Sequence, residues 1–301
     1  MGSHEVKEKI LWAVKKAVEH NLGEEEAVEQ YIDGLPEHIK GTYGGNTPCV
    51  QVQSGKTTII FDAGSGIRAL GMDLMKGCFG QGRGTAHLFI SHTHWDHIQG
   101  LPFFLPAHVP GNRVVVYSPF SDIRNRLKAQ QEARYFPVSL EAMGAEIAFV
   151  SLSERDTIAI EDLSICTMRL NHPGGSFGYR ICRKKRSFVY ATDTALDNLS
   201  AAEQEKFAQF LSQADVAVLD AQYTAKEVAT QNDWGHSSLC KAIDMALLAE
   251  VKTLVFFHHD PGLNDHALYE RFQGAQQHLE SEQEGRKCSL IMAYEGLQLT
   301  I

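Results

Sequence analysis

Ala86-His87-Leu88-Phe89-Ile90-Ser91 runs directly into His92-Thr93-His94-Trp95-Asp96-His97. The first six residues are mostly apolar and read as a buried strand over 86–91. A strand that ends in His-x-His directs both rings to one side, because side chains alternate along extended backbone. Asp96 and His97 come at the next bend, ahead of the mostly apolar Ile98 to Leu105. Two donors can then face one cation and two its neighbour. Imidazole with carboxylate suits zinc, and also manganese, iron or nickel. A lone His is usually structural. His makes up only 14 of 301 residues, so three at preset spacings in one loop point to a metal site rather than to packing.

The residues and spacing resemble the His-x-His-x-Asp-His signature of the metallo-β-lactamase superfamily, and the resemblance extends along most of the chain. The early Asp of that pattern is matched by Asp62 in Ile59-Ile60-Phe61-Asp62-Ala63-Gly64, and the third-motif His by His172 in Leu170-Asn171-His172-Pro173. Its bridging Asp is matched by Asp193 in Val189-Tyr190-Ala191-Thr192-Asp193, and its last His by His258 in Leu254-Val255-Phe256-Phe257-His258. Each lies at or near the end of an apolar, β-rich run, where α/β folds place ligand sites.

The resemblance implies an α/β fold, the αββα sandwich, holding two divalent metal ions, zinc first and manganese or iron as alternatives. It implies His92, His94, His172 and Asp193 on one metal, and Asp96, His97, Asp193 and His258 on the other, with Asp193 bridging. Asp62 would stand behind them and accept a ligand N–H; a plain strand-end turn is its other reading. His259 competes with His258. Successive strand residues point oppositely, so only one can face the metals, and Pro261 sets the register for His258 as in phosphodiesterase relatives.

Gly235-His236-Ser237-Ser238 resembles the Gly-His-Ser motif of ribonuclease Z-like phosphodiesterases, which glyoxalase-II-type and lactamase-type members do not share. A His just before a helix N-terminus lies beside free backbone N–H groups, a favourable place for phosphate. His236 can protonate a leaving alkoxide or bond a phosphoryl oxygen, with Asp220 orienting it; its other reading is packing at the start of the helix. Asp96, His236 and Asp220 are therefore the expected catalytic residues. Phe177-Gly178-Tyr179-Arg180 also matches this branch, and Phe177 or Tyr179 either stacks on a base or belongs to the core. Tyr43-Gly44-Gly45-Asn46-Thr47-Pro48 resembles an N-terminal motif of bacterial phosphodiesterase-like members, which puts Asn46 and Thr47 at the cleft.

The resemblance to ribonuclease Z proper implies a tRNA-binding arm between the third-motif His and the bridging Asp. Here the two are 21 positions apart and the net charge is −9, so tRNA is not the expected partner. The expected function is hydrolysis of a cyclic nucleotide or related small phosphodiester. The alternatives are a thioester or lactone hydrolase on the same metals, or a metal-bound sensor module acting through the N-terminal helices.

At 44% hydrophobic the chain can bury a large core. The candidate ligands run from 92 to 258, so residues 41–301 read as one domain, with 1–40 a helical extension. Val6, Ile10, Val14, Ala17 and Val18 recur at helical spacing, and Gly23 divides the segment. Related phosphodiesterases usually begin with a strand and a Gly-rich turn, so the extension departs from their pattern. It reads as a dimerisation or docking element, giving a homodimer, or as a helix covering a sheet edge. No apolar run approaches the length of a membrane span, and no signal peptide is evident. Six single Cys, with no Cys-x-x-Cys, fit reduced thiols in a cytoplasmic enzyme.

Strands are expected over 48–53, 57–62, 86–91, 113–117, 145–150, 163–171, 177–182, 187–192, 215–220, 252–257 and 288–293. Helices are expected over 5–33, 66–75, 121–134, 197–212, 237–249 and 264–283, with Ser237 or Ser238 as a cap and Asp265 near the start of the last. Arg183-Lys184-Lys185-Arg186 is either a hairpin turn or a substrate-steering patch.

Overall fold

Alternation along the strands builds three apolar layers. The computed structural model describes residues 2–20, 22, 24–230, 234–282, 285 and 287–301; the expected break at Gly23 lies outside them. Strands β1 (Val50–Ser54), β2 (Thr57–Phe61), β3 (Thr85–Phe89), β4 (Arg113–Ser118) and β5 (Glu146–Ser151) form one sheet in that order. β1 is antiparallel to β2, and the other neighbours are parallel. A second sheet holds β6 (Thr157–Ile160), β7 (Leu163–Leu170), β8 (Ser176–Arg183), β9 (Arg186–Ala191), β10 (Val216–Asp220), β11 (Thr253–Phe257) and β12 (Ser289–Met292), again in sequence order across the sheet. Its first four strands are antiparallel and β9 to β12 are parallel.

Ile59, Phe61, Phe89, Val115 and Tyr117 of the first sheet pack against Ile165, Tyr179, Ile181, Phe188 and Tyr190 of the second. The intervening residues Ile60, Leu88, Val114 and Val116 point the other way, as the two-residue period of a strand requires. They meet the helices α4 (Gly66–Leu74) and α6 (Ile123–Gln130). On the far side of the second sheet, Val189, Ala217, Leu219, Leu254 and Phe256 pack under α7 (Ala201–Leu211), α9 (Leu239–Leu248) and α10 (Asp265–Glu282). This is the expected αββα sandwich. Short helices α5 (Trp95–Ile98) and α8 (Ala225–Val228) sit in loops at its edge.

The chain begins with α1 (Ser3–Ala17), α2 (Glu25–Asp33) and α3 (Glu37–Lys40). The Lys9 ammonium reaches the carboxylate of Asp265, the first residue of α10. The same carboxylate accepts from the backbone N–H of Tyr43 at 2.9 Å and from the Thr42 hydroxyl at 3.1 Å. Asp265 therefore ties α1 and the 42–43 segment to the start of α10, a role its position at a helix start does not reveal. Ser238 caps α9 by accepting from the N–H of Lys241. Arg183 and Arg186 lie at the β8–β9 hairpin and pair with Asp162 and Asp215.

β6 is absent from the expected strands. It is a four-residue edge strand, too short for alternation to be read. β3 stops at Phe89 rather than 91, so the His-x-His pair lies in the loop beyond the sheet. Among the described residues no helix is long and apolar enough to cross a membrane.

Candidate metal centre

Asp62, Asp193 and His258 all follow the carboxyl ends of strands, and all three have left-handed backbone, with φ of 59°, 58° and 58°. Each such residue costs about 1–3 kcal/mol unless its surroundings hold it, and such outliers collect at functional sites. Here all three carry polar side chains to one spot between the two sheets.

Asp62 is fully buried. Its carboxylate accepts from the N–H of Ser91 at 2.7 Å, the Ser91 hydroxyl at 2.6 Å, the Tyr190 hydroxyl at 2.8 Å and Nδ1 of His97 at 2.7 Å. That last bond fixes the His97 tautomer, because Nδ1 carries the proton and Nε2 the lone pair. Nδ1 of His172 donates in the same way to the carbonyl of Gly235 at 2.9 Å. Gly235 has φ of 81°, and a Cβ there would stand 2.2 Å from Pro173 and 2.5 Å from the His172 ring. Only glycine holds this loop against that ring.

The free nitrogens then converge. Nε2 of His97 faces Nε2 of His258 at 3.3 Å, and Nε2 of His172 faces Nδ1 of His94 at 3.2 Å. Facing lone pairs repel unless a proton or a cation lies between them. Nε2 of His92 is buried with no hydrogen-bond partner, which a folded protein avoids. Asp193 divides its carboxylate. One oxygen lies 3.6 Å from His92 and 3.7 Å from His172, the other 3.2 Å from His97 and 3.5 Å from His258. Asp96 lies 3.1 Å from His258 and 3.3 Å from His97. The triplets His92–His94–His172, His92–His97–Asp193 and Asp96–His97–His258 each bring their donor atoms within 4.8 Å of one another. This donor set fits divalent cations. The convergence arises from the loop after β3 and from α5, and not from strand alternation as the spacing suggests.

Electrostatics of the bare side chains agree. Burial, reinforced by His97, pushes the His92 imidazole down to about 2, and burial lowers His172. Burial also opposes charge on His258, but Asp193 and the hydrogen bond to Asp96 outweigh it and hold its pKa up at about 9. His97 is likewise raised, with Asp193 and Asp62 overcoming burial. Burial works against ionised Asp193, yet His258, His97 and His92 hold it well below the usual carboxylate range.

His236 lies beside this cluster. Its Nδ1 donates to Asp220 at 2.7 Å, its ring stacks on His258 at 4.9 Å, and it stands 5.4 Å from His172. Asp220 is buried and also accepts from the N–H groups of Thr194 and Gln222, each at 3.2 Å. His259 turns away and bonds the carbonyl of Ala293 at 2.9 Å.

The expected substrate contacts fare differently. Tyr179 is a core residue: it is fully buried between the sheets and donates to the carbonyl of Ile90 at 2.6 Å. Base stacking by Tyr179 is therefore ruled out, because β8 alternation aims it inward. Phe177 is half-buried and packs edge-on to Phe120 at 5.7 Å. The Thr47 hydroxyl is taken up by the N–H of Ser65 and the amide of Gln99, so it joins loops. Asn46 is exposed and accepts from the Ser65 hydroxyl at 3.0 Å. Two residues escaped the sequence reading. Trp95, next to His94, is 64% exposed, and Trp234, next to Gly235, is 69% exposed. Each is a chain neighbour of a residue of the cluster's surroundings, Trp95 of His94 and Trp234 of Gly235. Their sequence signal was adjacency to the motifs, and exposure is what gives it meaning.

The family model of the β-lactamase superfamily domain matches residues 57–259, from β2 to just beyond β11. The chain belongs to this family. Among curated relatives of this superfamily member, ribonuclease Z of Picrophilus torridus is 23% identical over 270 residues, covering 74% of this chain and 82% of the relative. Ribonuclease Z of Lactobacillus johnsonii is 34% identical over 108 residues, 35% of this chain. That match spans only 33% of the relative's length. Among solved structures, unliganded yeast PDE1 superposes with a TM-score of 0.61 at 14% identity, covering 83% of this chain and 93% of that one. The short form of human tRNase Z gives 0.58 at 19% identity, covering 85% and 93%. These curated relatives are ribonucleases Z, and the solved structures of similar fold include tRNase Z and PDE1. The ribonuclease names stand against setting tRNA aside, while likeness at these identities carries the fold and not the substrate.

Proposed function

We propose that this protein is a metal-dependent phosphodiesterase. Two divalent cations, zinc first, would be held by His92, His94, His172 and Asp193 and by Asp96, His97, Asp193 and His258. When bound, such a pair activates water near neutral pH and holds the oxygens of a displacement. The observation that carries the reading is the His236–Asp220 pair, fixed at 2.7 Å beside the cluster. Asp220 orients the ring, and a His236 ring nitrogen lies within 4.8 Å of donor atoms of His172 and Asp193. Protonated His236 then donates to the alkoxide oxygen as its P–O bond breaks. A thioester or lactone hydrolase needs no such donor at that place.

We favour a cyclic nucleotide or another small diester. Between His172 and Asp193 the chain forms only the β8–β9 hairpin, which leaves no arm for a large RNA. The exposed indoles of Trp95 and Trp234 offer base-stacking faces. The ribonuclease Z relatives support a second reading, cleavage at an RNA end. The test is a metal-loaded screen of cyclic mono- and dinucleotides, bis(p-nitrophenyl) phosphate and a precursor tRNA, with a thioester and a lactone as controls. Turnover of a cyclic nucleotide supports the first reading and tRNA cleavage the second. Turnover of the carbonyl esters alone refutes both.

A further inference from the structure

The loop that carries His92 and His94 has few backbone bonds of its own. β3 ends at Phe89, and the N–H of Ile90 still donates to the carbonyl of Tyr117 on β4. The N–H of Ser91 donates to Asp62, and its carbonyl accepts from Phe177. Beyond Ser91, among the described residues, the backbone N–H and C=O groups of His92 and Thr93 make no hydrogen bond within the protein. Thr93 is held by its side chain instead: Nη1 of Arg126, 33 positions away, donates to its hydroxyl at 2.9 Å. Arg126 is itself well fixed. It lies on α6, whose Ile123 and Leu127 are buried in the layer outside the first sheet. Its Nε donates to Asp122 one turn earlier at 2.9 Å. Its guanidinium lies over the ring of Phe120, 4.3 Å from the centroid, and Phe120 meets Phe177 edge-on. A planar guanidinium that stacks on an aromatic face and forks between two acceptors does what a Lys cannot.

We propose, on the metal-dependent reading above, that Arg126 is a positioning residue for the metal centre, acting through Thr93 on His92 and His94. Thr93 stands between the two imidazoles, so its backbone torsions set how the rings face each other. A ligand His is usually oriented by a bond from its other ring nitrogen. His97 has Asp62, His172 has the carbonyl of Gly235, and His92 has the Ser91 hydroxyl at 3.1 Å. His94 lacks such a partner among the described residues: its ring bond is the approach of Nδ1 to Nε2 of His172. Its placement therefore depends on the loop, and the loop depends on the Arg126–Thr93 bond. A loop already held in the binding conformation loses less freedom when a cation arrives. The Asp122–Arg126 pair does not account for the arrangement, because an exposed i,i+4 pair contributes little by itself.

Zinc titration of stripped protein against a chromophoric chelator tests the proposal, and it reads affinity rather than turnover. Thr93→Val removes the hydroxyl with little change of shape. Arg126→Met keeps an unbranched stem over Phe120 and removes every donor. Each should lower zinc affinity at one of the two sites about 10-fold. Thr93→Ser keeps the hydroxyl and should bind zinc as wild type does. The double variant T93V/R126M should lose no more than either single change, because both break the same bond. Losses that multiply to about 100-fold would show two independent effects and overturn the proposal. Thermal melts of the stripped variants are the control. A bond that only supports the fold would lower the melting temperature and leave the zinc affinity of the folded protein unchanged, which would overturn it. A raised KM for bis(p-nitrophenyl) phosphate at unchanged zinc affinity would also overturn it, since the guanidinium would then meet substrate. Wild-type protein that takes up neither zinc nor manganese would overturn the metal reading and this proposal together, whereas tight wild-type uptake with unchanged variants overturns the proposal alone.

Discussion

Replacing Asp62 by Asn changes one atom in a carboxylate that four donors share. One oxygen accepts from the Ser91 N–H alone, at 2.7 Å; the other accepts from the Ser91 hydroxyl, Tyr190 and His97. The amide oxygen will keep the crowded side, so its NH₂ must face the Ser91 N–H. Two buried donors then point at each other, at a cost of about 1–3 kcal/mol. The remaining bonds lose a charged acceptor, while desolvation of the carboxylate is relieved, and these changes roughly offset. A second effect falls on the site. His97 loses the anion behind its Nδ1–H, and such support is worth about 10–100-fold in metal affinity or activity. Asp62→Asn should therefore lower the stability of metal-free protein by about 1–3 kcal/mol and weaken metal binding at the His97 position about 10–100-fold. Chelator competition on the folded variant, beside thermal melts of stripped protein, separates the two. Unchanged metal affinity together with unchanged stability would refute the argument that Asp62 holds His97.

Three further outcomes follow from the same geometry. Asp193→Ala removes the carboxylate whose oxygens face both imidazole sets, so elemental analysis should show loss of metal and hydrolysis should nearly vanish; full metal content with retained turnover would exclude the bridging role. His236→Ala should cut turnover of a nucleotide diester by about 10²–10⁴-fold and that of a nitrophenyl ester far less, since nitrophenolate leaves without a proton; Asp220→Asn should act in the same direction, more weakly. In the stripped protein His258 keeps its proton up to about pH 9, and proton and cation compete for one nitrogen. Metal uptake should then release protons and its apparent affinity should climb from neutral pH to about 9; calorimetry in two buffers of different ionisation enthalpy would show none if the assignment is wrong.

What the sequence by itself determined is local. Apolar runs such as Val216–Leu219 and Leu254–Phe257 read directly as strands, because a strand buried on both faces needs little else. The His92–His97 motif could be read because its donors are neighbours in the chain. Tertiary structure decided whatever depends on relative placement. Phe177 and Tyr179 are both aromatic and two residues apart, yet inter-sheet packing buries one fully and leaves the other half-covered. Asp265 reads as a helix-start residue until Lys9, 256 positions away, is found on it. The left-handed turns at Asp62, Asp193 and His258 are conformations that local preference disfavours, and only the surrounding fold can hold them. The same holds for the outward apolar row of α1: its period can be read from the residues, but which face meets solvent follows from contacts of its other face, Lys9 with Asp265 and Gly41 and Ala13 with Tyr31.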